Sequence, residues 1–261
     1  MHQPYTSDTL YHMVGWGVLH DDKVPAEEKD EQCYQRLKMV LDFGFISGAD
    51  HNGVRAKEEG IISLSIDTKG HLRNGDFDGY LVKGCYTCYA DIPVESLGLH
   101  TSKYGKFGFG ISAPHLVALG ARPVTYIPCR SGWIESDYRG HGLLNNLTEE
   151  LLKLHRIVEE YEEANNEEDE EGVRTIDNRH EWSGLNNALW RDVAVFLKPY
   201  NATLPMDHPK SYYSEREWRL LGNVQISPKK VPVIVVAHGY KERLLSEVPA
   251  TAEFEIMELS A

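Results

Sequence analysis

Residues 107–128 read FGFGISAPHLVALGARPVTYIP, and their reading decides the fold class. Phe107, Phe109 and Ile111 alternate with glycines, the period-2 pattern of a strand. Ser112 then stands where a helix N-cap belongs, with Pro114 in the first turn and Gly120 at the end. A second strand is predicted at once, over 123–127. A strand, a short helix and a strand in such close succession point to a chain that mixes both kinds of element.

The pattern continues outward in both directions. Thr9 to Val14 (TLYHMV) predicts a short strand, and Tyr34, Leu37, Val40 and Leu41 recur at helical spacing ahead of Gly44. Ile62, Leu64 and Ile66 alternate with Ser63, Ser65 and Asp67, Asn74-Gly75 marks a turn, and a strand follows over 79–89. Leu144, Leu147, Leu151, Leu154, Val158 and Tyr161 trace an a/d seam on a helix of about three heptads. A second helix is predicted over 186–200 (NNALWRDVAVFLKPY), with Leu189, Trp190, Val193 and Phe196 as its apolar face. Further strands are expected over 218–221, 231–237 and 252–256. Strands flanking a helical stretch predict a single α+β domain over 1–261, built on a mixed or antiparallel sheet and carrying a helical insertion at 142–200.

Composition excludes several classes. With 41% hydrophobic and 26% charged residues the 261-residue chain is of globular type, and no stretch approaches the roughly 18 apolar residues of a spanning helix. No membrane association is therefore expected. The N-terminus lacks the basic and apolar regions of a secretory signal, and four cysteines make no disulfide framework, so a cytoplasmic location is expected. The net charge of −13 argues against general nucleic-acid binding. Much of it sits in an acidic segment, 159–171, where nine Asp or Glu residues occur without one Lys or Arg; such a run reads as a solvated face.

The familiar catalytic signatures are absent: there is no P-loop, dinucleotide fingerprint, HExxH or GxSxG. Cys85 and Cys88 form a lone CxxC with no second pair to complete a zinc site, so no metal is expected. What folding alone explains poorly is a set of short polar groups: Tyr11-His12, Asp91, His100 to Gly105 (HTSKYG), Arg122, and Glu215-Arg216-Glu217-Trp218-Arg219. In an extended segment Glu215, Glu217 and Arg219 share one face, where burial is costly unless the charges are paired or used.

The runs LYHMVG, ADIPVESLGLHTSKYGKFGFGIS, GARPVTYIP and YYSEREWRL resemble the AbiGi family of abortive phage-resistance proteins, described as antitoxins. That resemblance implies a bacterial or phage-borne setting, a role in phage defence, and a cognate toxin, antitoxin or phage protein as partner. The order of the polar groups is also similar to that of ADP-ribosyltransferases. It implies an ADP-ribosyltransferase-like core binding NAD, with His12 at a ribose, Tyr104 with Ser102 at the nicotinamide, Glu217 at the reacting sugar, and Tyr11 and His100 among the residues that bind the cofactor. Glu215 would face the acceptor as general base, and Lys103, Arg122 or Arg219 would neutralise pyrophosphate. An ionised carboxylate beside an oxocarbenium-like sugar stabilises its charge, and the expected catalytic residues are Glu217, Glu215 and His12. Two other readings compete with the transferase: a non-enzymatic antitoxin or regulator, and a metal-dependent hydrolase or nuclease using His12, Asp91, Glu215 and Glu217.

Overall fold

The TLYHM stretch forms strand β1, Thr9–Met13, followed by a single turn of helix, α1, Trp16–Leu19. The computed structural model describes residues 8–47, 64–65, 83–84, 86–129, 188–205 and 211–260, together with 150, 153, 156, 157 and 208. Helix α2, Lys29–Phe43, buries Cys33, Tyr34 and Leu37 at the spacing read from sequence, and Gly44 ends it with φ 76°. That left-handed residue is nearly free of strain only as glycine.

Three two-residue strands follow: β2, Phe45–Ile46, β3, Leu64–Ser65, and β4, Lys83–Gly84. Then come β5, Thr87–Ala90, helix α3, Leu97–Tyr104, β6, Gly108–Ser112, and helix α4, Ala113–Ala118. The expected strand over 123–127 is instead two. Strand β7, Arg122–Pro123, ends before Val124, and β8, Thr125–Cys129, pairs in parallel with β9, Leu197–Asn201. The chain closes with β10, Glu217–Leu220, β11, Val224–Gln225, β12, Val233–Val236, helix α5, Lys241–Glu247, and β13, Glu255–Glu258.

The fold is mixed α+β, and the chain divides into two units. The first comprises Met1–Ser63, Cys85–Val124 and Tyr212–Ala261; the second comprises Leu64–Gly84 and Thr125–Ser211. In the first unit seven strands make one sheet in the order β13-β12-β6-β1-β5-β10-β7, antiparallel throughout except for β12 beside β13. One face carries Leu10, Tyr89, Phe109, Ile111, Leu220, Ile234 and Val236, and Tyr34 and Leu37 of α2, Leu116 of α4 and Leu244 of α5 cover it. The other carries Tyr11, Met13, Ala90, Val233 and Val235 beneath Ile92 and Leu97. Each large aliphatic side chain taken out of water in this way contributes roughly 1.5–3 kcal/mol.

In the second unit, β3 pairs antiparallel with β4, and Tyr126 meets Tyr200 edge-on at 5.9 Å across the β8–β9 pair. The helix predicted over 186–200 is corrected here. Leu189–Val193 is a π-helical turn and Ala194–Phe196 a 3₁₀ turn, after which the chain straightens into β9. Extending the helix would forfeit the parallel ladder to β8, and Pro199 cannot donate within a helix. Glu150, Lys153, Arg156 and Ile157 are helical and exposed. The seam from Leu144 to Tyr161 and the acidic segment 159–171 lie outside the described residues.

Candidate functional site

Antiparallel pairing lines residues up in rows across the sheet, and the rows decide which polar groups can meet. One row runs Glu255, Val233, Gly110, Tyr11, Ala90, Glu217 across β13, β12, β6, β1, β5 and β10. The neighbouring row runs Ile234, Phe109, His12, Tyr89, Trp218, Pro123. Successive residues of a strand point to opposite faces, so Tyr11 and Glu217 share a face and His12 lies on the other.

The expectation that His12 joins Tyr104 and Glu217 in one cleft is therefore corrected. His12 is half-buried among aromatic residues, its ring 5.7 Å from that of Tyr89. A carbonyl only accepts, so His12 Nδ1 carries the proton it donates to the Cys88 carbonyl oxygen at 2.9 Å. Burial holds its pKa below the ordinary histidine value despite that bond. The proposed metal set of His12, Asp91, Glu215 and Glu217 is divided between the two faces for the same reason. Among the described residues no group of three or more His, Cys, Asp or Glu is placed to hold a metal ion.

On the Tyr11 face four of the other predicted residues, Tyr11, His100, Tyr104 and Glu215, come together. Tyr104 is on helix α3 rather than on a strand, and it packs against the Tyr11, Met13 and Leu97 cluster. Its hydroxyl donates to Glu215 Oε1 at 2.5 Å, and its ring lies 4.5 Å from that of buried His100. Lys103 is buried on the same helix, whereas Ser102 is exposed and turns back to donate to the Leu99 carbonyl at 2.7 Å. The Tyr11 hydroxyl is pushed above its usual pKa by burial, then by the charges of Glu255 and Glu95.

The EREWR stretch departs from a plain strand. Glu215 ends a 3₁₀ turn, Arg216 has φ 46° in the left-handed region, and only from Glu217 is the chain extended. A non-glycine residue there costs on the order of 1–2 kcal/mol, so the neighbours must hold it. They do: the Arg216 guanidinium donates to Asp91 Oδ2 at 2.8 Å while the Asp91 N–H donates to the Arg216 carbonyl at 3.3 Å. Asp91 and Arg216 thus clasp the exit of β5 to the entrance of β10.

Beside this clasp is a buried ion pair. Arg219 is fully buried and Glu217 is 5% exposed, and Arg219 Nε donates to Glu217 Oε1 at 2.6 Å. The guanidinium lies 4.7 Å from the centre of the Tyr86 ring. Burial opposes its charge, but the Glu217 carboxylate outweighs burial and raises the pKa above the usual arginine value. Arg122, opposite Arg219 in register, is exposed. Among the described residues the buried carboxylates, Asp91, Glu215 and Glu217, are thereby hydrogen-bonded to groups of the chain itself.

Sequence reasoning missed Tyr86 and the Asp91–Arg216 clasp. Tyr86 precedes a strand and carries no pattern of its own. The alternation that made Glu215, Glu217 and Arg219 look equivalent assumes an extended backbone, which the left-handed Arg216 interrupts.

Residues 81–242, more than half of the chain, match the family described as "Putative abortive phage resistance protein AbiGi, antitoxin". The matched span covers Asp91, helix α3 and the EREWR stretch. No curated protein and no solved structure matches the chain. Among the described residues no helix is long and apolar enough to cross a membrane.

Proposed function

The chain belongs to the AbiGi family, and from that premise we propose that it works by binding rather than by catalysis: it is a phage-defence antitoxin that restrains a toxin or phage protein in a stoichiometric complex. The observation that carries this reading is the state of the carboxylates. A glutamate that stabilises an oxocarbenium-like sugar must direct its charge at the substrate. Glu217 instead faces the buried guanidinium of Arg219, and Glu215 accepts from Tyr104. The residue assigned to the ribose, His12, is on the far face of the sheet. Both glutamates serve the fold, joining β10 to helix α3 and to the ladder around it.

The test begins by crosslinking the chain in its native host and identifying the protein it holds. That protein is then expressed alone and together with this chain. Growth arrest in the first case and recovery in the second is the expected result. A chain that is toxic by itself and releases nicotinamide from NAD would overturn the reading in favour of a transferase.

A further inference from the structure

We infer that the surface where helix α1 meets helix α2, around Arg36 and Trp16, is where an acidic segment of a partner protein docks. This rests on the binding reading above and names both the place of attachment and what the partner must carry there.

On α2, Lys29, Cys33 and Arg36 stand at i, i+4 and i+7 and so form one line along the helix. That line faces α1. Lys29 Nζ donates to the Leu19 carbonyl at 2.7 Å, and a Cβ added to Gly17 would stand 3.1 Å from Arg36 Nη1, so the guanidinium lies against the backbone of α1 in the room a glycine leaves. Its charge is unanswered. Arg36 is half-buried and, among the described residues, makes no hydrogen bond or ion pair, whereas Arg216, Arg219 and Arg243 of the same unit each hold a carboxylate. The acids before it are placed elsewhere: Asp21 accepts from the Lys23 N–H, Glu28 from Gln32, Asp30 from Lys106 and Glu31 from Arg243, while Asp22 and Glu27 are exposed. Burial pushes the thiol of Cys33 up to about 11; of the charges acting on it, Asp30 raises it and Arg36, Lys106 and Lys29 lower it. With Asp30 given to Lys106, Arg36 and Lys29 remain without a carboxylate.

Lys23, Lys229 and Lys241 have no acid partner either, so an unpaired cation alone marks nothing. What marks this place is the surface beside the guanidinium. Trp16, directly before Gly17 and 51% exposed, is the one exposed tryptophan among the described residues. His20 fixes it: the two rings stack at 4.9 Å, and His20 Nδ1 donates to the Trp16 carbonyl at 2.9 Å. Met39, 60% exposed, stands three residues beyond Arg36, a neighbouring position on the surface of α2. Tryptophan, arginine and methionine are what interface centres favour, and an indole already held in place loses little freedom on contact. A guanidinium with its N–H groups unbonded takes a carboxylate through two parallel bonds. The occupant that fits is a protein segment with Asp or Glu for Arg36 and an apolar side chain for Trp16. Nucleic acid fits less well, because a chain of net charge −13 repels a phosphate backbone.

The probe is a short capped peptide of alternating glutamate and leucine, titrated into the full chain, with a lysine–leucine peptide and a single-stranded oligothymidylate for comparison. Binding is read by calorimetry, and its place by NMR at the Trp16 indole N–H and the Arg36 Nε–H. The expected result is saturable binding of the glutamate peptide that shifts both signals, with little binding of the other two. Arg36→Gln and Trp16→Ala should each weaken that peptide by at least about tenfold while leaving Tm little changed. The two signals of the unaltered chain need no variant, so the inference stays testable even if a variant fails to fold. Shifts confined to other residues, equal binding of the lysine peptide, oligothymidylate moving the same two signals, or self-association that already covers them would each overturn it. In the growth assay, an unaltered chain that neutralises its partner and a folded Arg36→Gln, Trp16→Ala double variant that does so equally well would overturn this surface and leave the binding reading standing. An unaltered chain that neutralises nothing would overturn the binding reading, while the peptide titration still reports on the surface.

Discussion

Replacing Glu217 with alanine removes the carboxylate bonded to Arg219 Nε and leaves the guanidinium, fully buried over the Tyr86 ring, without that counter-charge. Breaking a buried pair by deleting one partner costs roughly 3–5 kcal/mol. For a chain of this size that is a fall in Tm of roughly 6–20 °C. Glu217→Gln keeps an acceptor without the charge and should cost less, in the range of about 1.5–3 kcal/mol for a charged hydrogen bond. The double replacement Glu217→Leu, Arg219→Met should recover most of the loss, because two apolar side chains leave no charge to solvate. Thermal and urea unfolding of the singles and the double give a coupling energy directly. Single variants that lose less than about 1 kcal/mol, with effects that simply add, would refute the claim that the pair holds β10 in place. A Glu217→Gln protein of unchanged Tm that has lost an NAD-consuming activity of the unaltered chain would show the carboxylate to be reactive instead.

Two other predictions concern local geometry and pH. Gly105 has φ 88° and ψ 168°, a conformation essentially reserved for glycine, and a Cβ there would sit 3.0 Å from the Gly15 Cα, so Gly105→Ala should destabilise by about 1–3 kcal/mol or more in urea unfolding; an unchanged midpoint would refute this. Arg243 holds Glu31 and Glu247 at pKa values of about 2, below the ordinary 4.5, with Gln35 assisting at Glu31 and Lys38 at Glu247. Because these pKa values are lowered on folding, their stabilisation is present above about pH 4.5 and is lost as pH falls toward 2. Arg243→Gln should flatten the Tm profile across that window, and a profile as steep as that of the unaltered protein would contradict the assignment.

How much of this was legible depended on whether a residue's role was local. Helix α2 and its Gly44 stop followed from spacing alone, as did β1 and β6, because apolar periodicity reports directly on which face is buried. The break between β7 and β8 was not legible. Val124 separates them without a glycine or polar linker, and its N–H donates to the Glu217 carbonyl, a partner remote in sequence. Of the polar groups, Tyr104 of helix α3 meets Glu215 in the turn before β10, and His12 lies on the other face of the sheet. A strand's side chains alternate, but sequence does not say which of two adjacent residues, Tyr11 or His12, takes the face that Glu217 occupies. Register settles that, and register belongs to the pairing of β1 with β5 and of β5 with β10.

The strand order of the first unit also bears on how the molecule is made. Strands β1, β5 and β6 are neighbours and leave the ribosome early, yet β5 must wait for β10 and β6 for β12, both beyond residue 212. At about 5–20 residues per second, synthesis of the intervening segment takes roughly 5–20 s, far longer than strands need to associate. Throughout that delay the nascent sheet has two open edges, one of them bordering Phe109. Folding of the first unit is thus tied to completion of translation, and a ribosome stalled within the second unit would expose a three-stranded fragment open to aggregation or to proteolysis.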